Sequence, residues 1–137
     1  MEIFVFDACS VIAFFEKESG FDKVKVILEK AYSGQCQIYM NKINVLEIYY
    51  GFYRDDSPVI AAKFYADILL LPIIIVDTIS DQLLFEAGKL KALYRISLAD
   101  SIALAEAKIR NAFLVTSDHH EFDIIDNDKE ICFFWIR

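Results

Sequence analysis

The sequence predicts one α/β domain, a mainly parallel sheet covered on both faces by helices, and three observations carry the prediction. Short β-branched or aromatic runs alternate with longer segments of helical period, an order that requires crossover connections and hence a parallel sheet. At 137 residues the chain is long enough to bury a core without disulfide or metal staples. Four glycines and two prolines leave no composition for a linker or a disordered tail, so residues 1–137 are expected to form a single domain.

The elements follow in order. Residues 2–6 form an apolar run ending at Asp7, and Val11, Ile12, Phe14 and Phe15 after Ser10 have helical spacing, so a strand feeds a helix. Val24, Ile27, Leu28 and Ala31 mark a second helix over residues 21–32, which Gly34 stops. A strand over 37–40 leads to a helix capped by Asn41 or Asn44 that carries Ile43, Leu46, Glu47 and Tyr50 and breaks at Asp55 to Pro58. Another helix covers 59–70, and after Pro72 the β-branched run 73–76 is expected as an interior strand. Thr78 with Asp81 is expected to cap a helix reaching Tyr94, and Ser97 with Asp100 one ending near Asn111. A strand over 113–116, a short helical turn over 118–122 and a closing strand over 131–136 complete the chain.

Composition narrows the function. The chain is 56% hydrophobic, above the usual range for a soluble domain, so part of its surface is expected to lie against another chain. The most lipophilic stretch, 68–76, is interrupted by Pro72 and bracketed by Asp67 and Asp77, and it is far shorter than the roughly 20 residues of a bilayer span. With no basic segment and no long apolar segment at the N-terminus, the protein is expected in the cytoplasm and off the membrane. Cys9, Cys36 and Cys132 share no ligand spacing and are expected to be reduced, packed thiols. A net charge of -7 repels nucleic acid, so any such role must rest on local basic groups and metal. The glycines are too scattered for a phosphate-cradling loop.

The acids carry the chemical argument. Asp7 and Asp118 each follow an apolar strand, which points both toward the carboxyl edge of a parallel sheet, where ligands of such sheets bind. Asp100 falls in the first turn of a helix expected to open on that edge, and Glu47 projects from a helix that follows a strand. Four carboxylates around one pocket repel one another unless a cation compensates. An all-oxygen, histidine-poor donor set suits Mg²⁺ or Mn²⁺ better than zinc. Taken singly, each aspartate also fits an ordinary helix cap, and Glu47 becomes a capping-box residue if its helix starts at Asn44.

The neighbours of these acids add less. Gly51, one turn beyond Glu47, would leave space above that carboxylate. Ser10 and Ser117 sit beside acids and can orient them, or simply cap helices. Lys42 and Arg95 fall near the expected pocket and are candidates for phosphate contact, against the reading of solvated surface charge. His119 and His120 are adjacent and diverge on a helix, so they make no facing metal pair. Glu121 and Asp123 read as a solvated rim.

Four segments in order, FVFDACSVIAFF with Asp7 and Ser10, NVLEIYYG with Glu47, YRISLADSIALAEA with Asp100 and LVTSDHHEFD with Asp118, resemble the PIN-domain family and within it the VapC-like toxins of toxin-antitoxin pairs. The resemblance covers essentially the whole chain. It implies a three-layer α/β/α fold and an endoribonuclease in which water activated at Mg²⁺ or Mn²⁺ cleaves RNA phosphodiester bonds. It also implies frequent homodimers and a cognate antitoxin protein that occludes the site. Asp7, Glu47 and Asp100 carry over as metal ligands, and Asp118 as a catalytic residue and ligand that acts directly or through water. The alternatives are a non-catalytic PIN-like module that binds RNA or protein, and a phosphatase using an aspartate nucleophile. The phosphatase reading is weakened because Cys9 stands where its usual second acid would be.

Overall fold

The computed structural model describes residues 1–127 and 130–137. Chain order is β1 (Glu2–Phe6), α1 (Ala8–Phe15), α2 (Phe21–Tyr32), β2 (Cys36–Asn41), α3 (Lys42–Asp55), α4 (Pro58–Ile68), β3 (Ile74–Val76), α5 (Asp81–Leu93), α6 (Leu98–Ile109), β4 (Phe113–Thr116), α7 (His119–Asn127) and β5 (Cys132–Trp135). The described strands form one five-stranded sheet in the order β3-β2-β1-β4-β5, and every pairing is parallel.

The alternation along β1 divides the interior into two cores, as a period of two requires. Phe4 and Phe6 pack with α1, α2, α3 and α4 on one face. Val5 packs with α5, α6 and α7 on the other. The result is the expected three-layer sandwich. From β1 the chain winds outward to β2 and β3, then crosses to the opposite side of β1 to lay down β4 and β5. The carboxyl ends of β1 and β4 therefore flank the point where the winding reverses, the usual ligand crevice of such sheets.

Local chemistry explains most boundaries. Asn41 caps α3 by accepting from the Ile43 amide at 2.9 Å, which rules out a start at Asn44 and removes Glu47 from any capping box. Ser57 caps α4 with Pro58 in its first turn, and Ser97 caps α6 by accepting from the Asp100 amide. Gly34, at φ +79 just beyond α2, takes the left-handed conformation that ends a helix.

Four expectations need correction. The run 73–76 is not an interior strand: β3 lies at the sheet edge beside β2 and Ile74 is 46% exposed, because a short apolar run marks a strand without saying how many neighbours it has. α5 is capped by Ser80, whose hydroxyl accepts from the Leu83 amide, rather than by Thr78. The turn expected over 118–122 is a nine-residue helix, α7, since Phe122 and Ile125 supply it with a buried face. Cys9, Cys36 and Cys132 are all free, but Cys132 is exposed rather than packed, a consequence of its place on the edge strand β5.

Candidate active site

The pairing of β1 with β4 aligns Phe6 with Val115, which places Asp7 beside Thr116 at the crevice. Asp7 is only 2% exposed and caps α1, its Oδ1 accepting from the Ser10 amide at 2.9 Å. The Ser10 hydroxyl donates to the Asp7 main-chain oxygen at 3.0 Å. Burial pushes the Asp7 carboxyl up to about 7, with repulsion from Asp100 adding to the rise, while hydrogen bonds from Thr116 and Ser10 oppose it. Desolvation disfavours the charged form, and the donors recover only part of what is lost.

Asp118 follows β4 and is partly buried, its Oδ1 accepting from the Glu121 amide at 3.1 Å. Asp100 sits in the first turn of α6, and burial followed by repulsion from Glu47, Asp118 and Glu121 lifts it to about 6 against the Ser97 hydrogen bond. Glu47, half-buried on α3, is raised first by burial and then by Asp118. All four acids also act on one group, the Cys9 thiol, which burial and then Asp7, Asp118, Asp100 and Glu47 push up. The sheet edge thus converges all four sequence-predicted acids. None of them takes part in an ion pair among the described residues; those pairs lie elsewhere.

The acids converge without closing on a point. Among the described residues, no three histidine, cysteine, aspartate or glutamate side chains stand in an arrangement that could hold a metal ion. The donor chemistry nevertheless fits a hard divalent cation, because it is all carboxylate oxygen, partly desolvated and, among the described residues, not paired with a cationic side chain. Gly51 borders a cleft shared with Ile12, Glu16, Glu47 and Arg54, and nothing lies within 4 Å of where its side chain would begin, so the space expected above Glu47 is there.

Sequence reasoning missed Thr116. Its hydroxyl bonds the Asp7 carboxylate and accepts from the Asp118 amide at 3.0 Å, bridging the two acids that end β1 and β4. The available signal was its place as the last strand residue, two before Asp118. Ser117 is buried beside it. Lys42 and Arg95 are exposed. His119 is fully engaged, with Nδ1 at 2.7 Å from Asp123, Nε2 at 2.7 Å from the Arg137 carbonyl, and its ring stacked on Trp135.

A doubly wound parallel sheet with an acid-lined crevice at its switch point defines a class of small α/β domains whose ligands bind beyond the carboxyl ends of the strands. The PIN domain family model matches residues 4–127, and the chain belongs to that family. Among solved structures, the fold is similar to a chain of VapBC2 from Rickettsia felis bound to a promoter DNA fragment, at 22% identity, TM-score 0.75, over 96% of this chain and 97% of that one. It is also similar to DNA-bound VapBC from Salmonella typhimurium, at 18% identity and TM-score 0.72 over 100% of both chains. A third likeness is to VapC20 of Mycobacterium tuberculosis, described as a sarcin-ricin loop cleaving toxin, at 13% identity and TM-score 0.66 over 90% of this chain and 95% of that one. No curated protein matches the sequence. Among the described residues no helix is long and apolar enough to cross a membrane.

Proposed function

We propose that this chain is a metal-dependent endoribonuclease and the toxin of a toxin-antitoxin pair. The observation that carries the reading is the convergence of Asp7, Glu47, Asp100 and Asp118, none of them ion-paired among the described residues, at the switch point of a PIN-domain sheet. Asp7, Glu47 and Asp100 are the proposed ligands of Mg²⁺ or Mn²⁺, with Asp118 joining them directly or through water. Such a cation supplies charge neutralisation and Lewis acidity toward a phosphodiester.

The chain's own residues set the rest. Thr116 and Ser10 orient Asp7, and Ser97 orients Asp100. Ser117, beside Asp118, is proposed to support the same edge. The raised proton affinities of Asp7, Glu47 and Asp100 mean that cation uptake releases protons, so affinity rises with pH across the neutral range. Lys42 and Arg95 are proposed to meet RNA phosphates, compensating locally for the net charge of -7.

The partners proposed are a cognate antitoxin protein and a second copy of the chain. Two of the similar structures are VapBC complexes, and large apolar side chains stand exposed on α3, α4 and α5, including Leu46, Tyr50, Val59 and Phe85. The absence of a closed ligating trio among the described residues favours one alternative, a PIN-like module that binds without cutting.

One experiment separates the two. The purified chain is incubated with a mixed RNA pool and Mn²⁺, with and without chelator, alongside Glu47→Gln and Asp100→Asn. The nuclease reading expects cation-dependent cleavage that falls at least about 10³-fold in either folded variant. Cleavage untouched by both substitutions overturns the site. A folded chain that binds RNA without cutting supports the module.

A further inference from the structure

Outside the acid-lined crevice, a fifth carboxylate is buried in the layer between α6 and the sheet. Glu106 is 1% exposed and both its oxygens are engaged: Oε1 accepts from Asn41 Nδ2 at 3.1 Å and Oε2 from Arg110 Nε at 2.8 Å. The Arg110 guanidinium lies in turn 4.0 Å from the centre of the Tyr39 ring. A buried carboxylate is strongly unfavourable unless every oxygen is paired, and here the partners come from the end of β2 and the end of α6.

The consequence lies in what the Asn41 amide does with its other end. A carboxamide has one donor end and one acceptor end. With Nδ2 committed to Glu106, Oδ1 is turned toward the Ile43 amide, where it caps α3. Glu106 therefore fixes the orientation of the cap from which α3 departs. One turn later Asn44 Nδ2 donates to the Ala99 carbonyl in the first turn of α6 at 3.0 Å, although Asn44 Oδ1 is buried without a partner among the described residues. Glu47 is the next residue on that face of α3, and Asp100 follows Ala99. The fully engaged Asn41–Glu106 bond and the half-engaged Asn44 together tie α3 to α6 at the place where their two acids repel.

We propose that Glu106 and Asn41 are positioning residues that hold α3 against α6, and so keep Glu47 and Asp100 within reach of one shared cation. The inference rests on the nuclease reading for its cation but on the hydrogen-bond geometry for the staple. Without the staple, the helices relax apart along their mutual repulsion and the donor set is no longer pre-assembled.

Reversing the polarity of one bond tests it. Asn41→Asp keeps an acceptor for the Ile43 amide but sets a carboxylate against Glu106. Combining Asn41→Asp with Glu106→Gln restores a donor–acceptor pair: the carboxamide introduced at position 106 donates to the carboxylate introduced at position 41, and its oxygen is left for Arg110. Mn²⁺ binding by titration calorimetry is measured on the full chain, with amide exchange at Ile43 in metal-free protein. Asn41→Asp is expected to weaken Mn²⁺ binding about tenfold or more while staying folded, and the double variant to recover to within about threefold.

Wild-type Mn²⁺ affinity in Asn41→Asp, or no recovery in the double variant, overturns the proposal. If Asn41→Asp does not fold, Glu106→Gln alone decides by the same readout: weakened binding supports the proposal and unchanged binding overturns it. If the wild-type chain takes up no Mn²⁺, the nuclease reading fails separately. The staple is then judged on the Ile43 amide, whose protection must fall in Glu106→Gln, where the Asn41 carboxamide is no longer held with Oδ1 toward Ile43, and return in the double variant.

Discussion

Asp7 and Glu106 are the same kind of group in nearly the same degree of burial, 2% and 1% exposed, yet the fold surrounds them in opposite ways. Glu106 has a guanidinium on one oxygen and a carboxamide on the other. Asp7 has hydroxyl and amide donors on it, but its charged neighbour is another acid, and its carboxyl is pushed up to about 7. The first arrangement stabilises position. The second leaves acids repelling one another at the crevice, a repulsion that the proposed cation would relieve. Burial alone therefore says little about role; the sign of what surrounds the buried group says more.

The sharpest way to break this contrast is through pH. Asp7 titrates at 3.8 when unperturbed and at about 7 in the fold, so the folded chain favours its protonated form. The associated stability is fully present below about pH 4 and is lost as pH rises through about 7, worth on the order of 4 kcal/mol. Metal-free protein should lose thermal stability over that window. Asp7→Asn should flatten the profile and melt higher at pH 8. A metal-free wild type whose melting temperature is level from pH 4 to 8 would show that Asp7 is not under charge stress.

Glu106 should answer the other way. Glu106→Ala leaves Asn41 and Arg110 without their partner, and one-sided removal of a buried pair destabilises by about 3 kcal/mol. Because Arg110 is 26% exposed, its charge can rehydrate, which sets the expectation at the lower end of the usual range. Urea unfolding at pH 7 measures it, and a change within error of zero would make the staple ornamental. The smallest effect belongs to the bridge between the two acids. Thr116→Val removes the hydroxyl that Asp7 and the Asp118 amide share, and should weaken Mn²⁺ binding by about 1 kcal/mol, read by calorimetry, with little change in stability.

Three of the four acids were legible because each sits at an element boundary. A strand that ends in aspartate, or a serine three residues before one, is a local pattern, so Asp7, Asp100 and Asp118 could be read from sequence before any contact was known. Glu47 was legible once a helix was assigned around it. The roles of Thr116, Asn41 and Glu106 beside those acids were not. Thr116 reads as the last residue of a strand, Asn41 as one of two possible caps, and Glu106 lies in an alanine-rich helix where a lone glutamate ordinarily faces water. Only β2 and α6 meeting across 65 positions of sequence bring Glu106 to Asn41.

The same division runs through the fold. Hydrophobic period and turn chemistry, which are local properties, determined by themselves the alternation of strands and helices, most of their boundaries and the parallel sheet that follows from them. What tertiary structure alone decided was neighbourhood: that β3 is an edge, that Cys132 is exposed, that α7 finds a buried face, and that one buried carboxylate meets a cation while another meets acids. Strand order and helix contact are long-range choices among many sequences of equal local pattern, and a residue's protonation and pairing depend on those choices rather than on its neighbours in the chain.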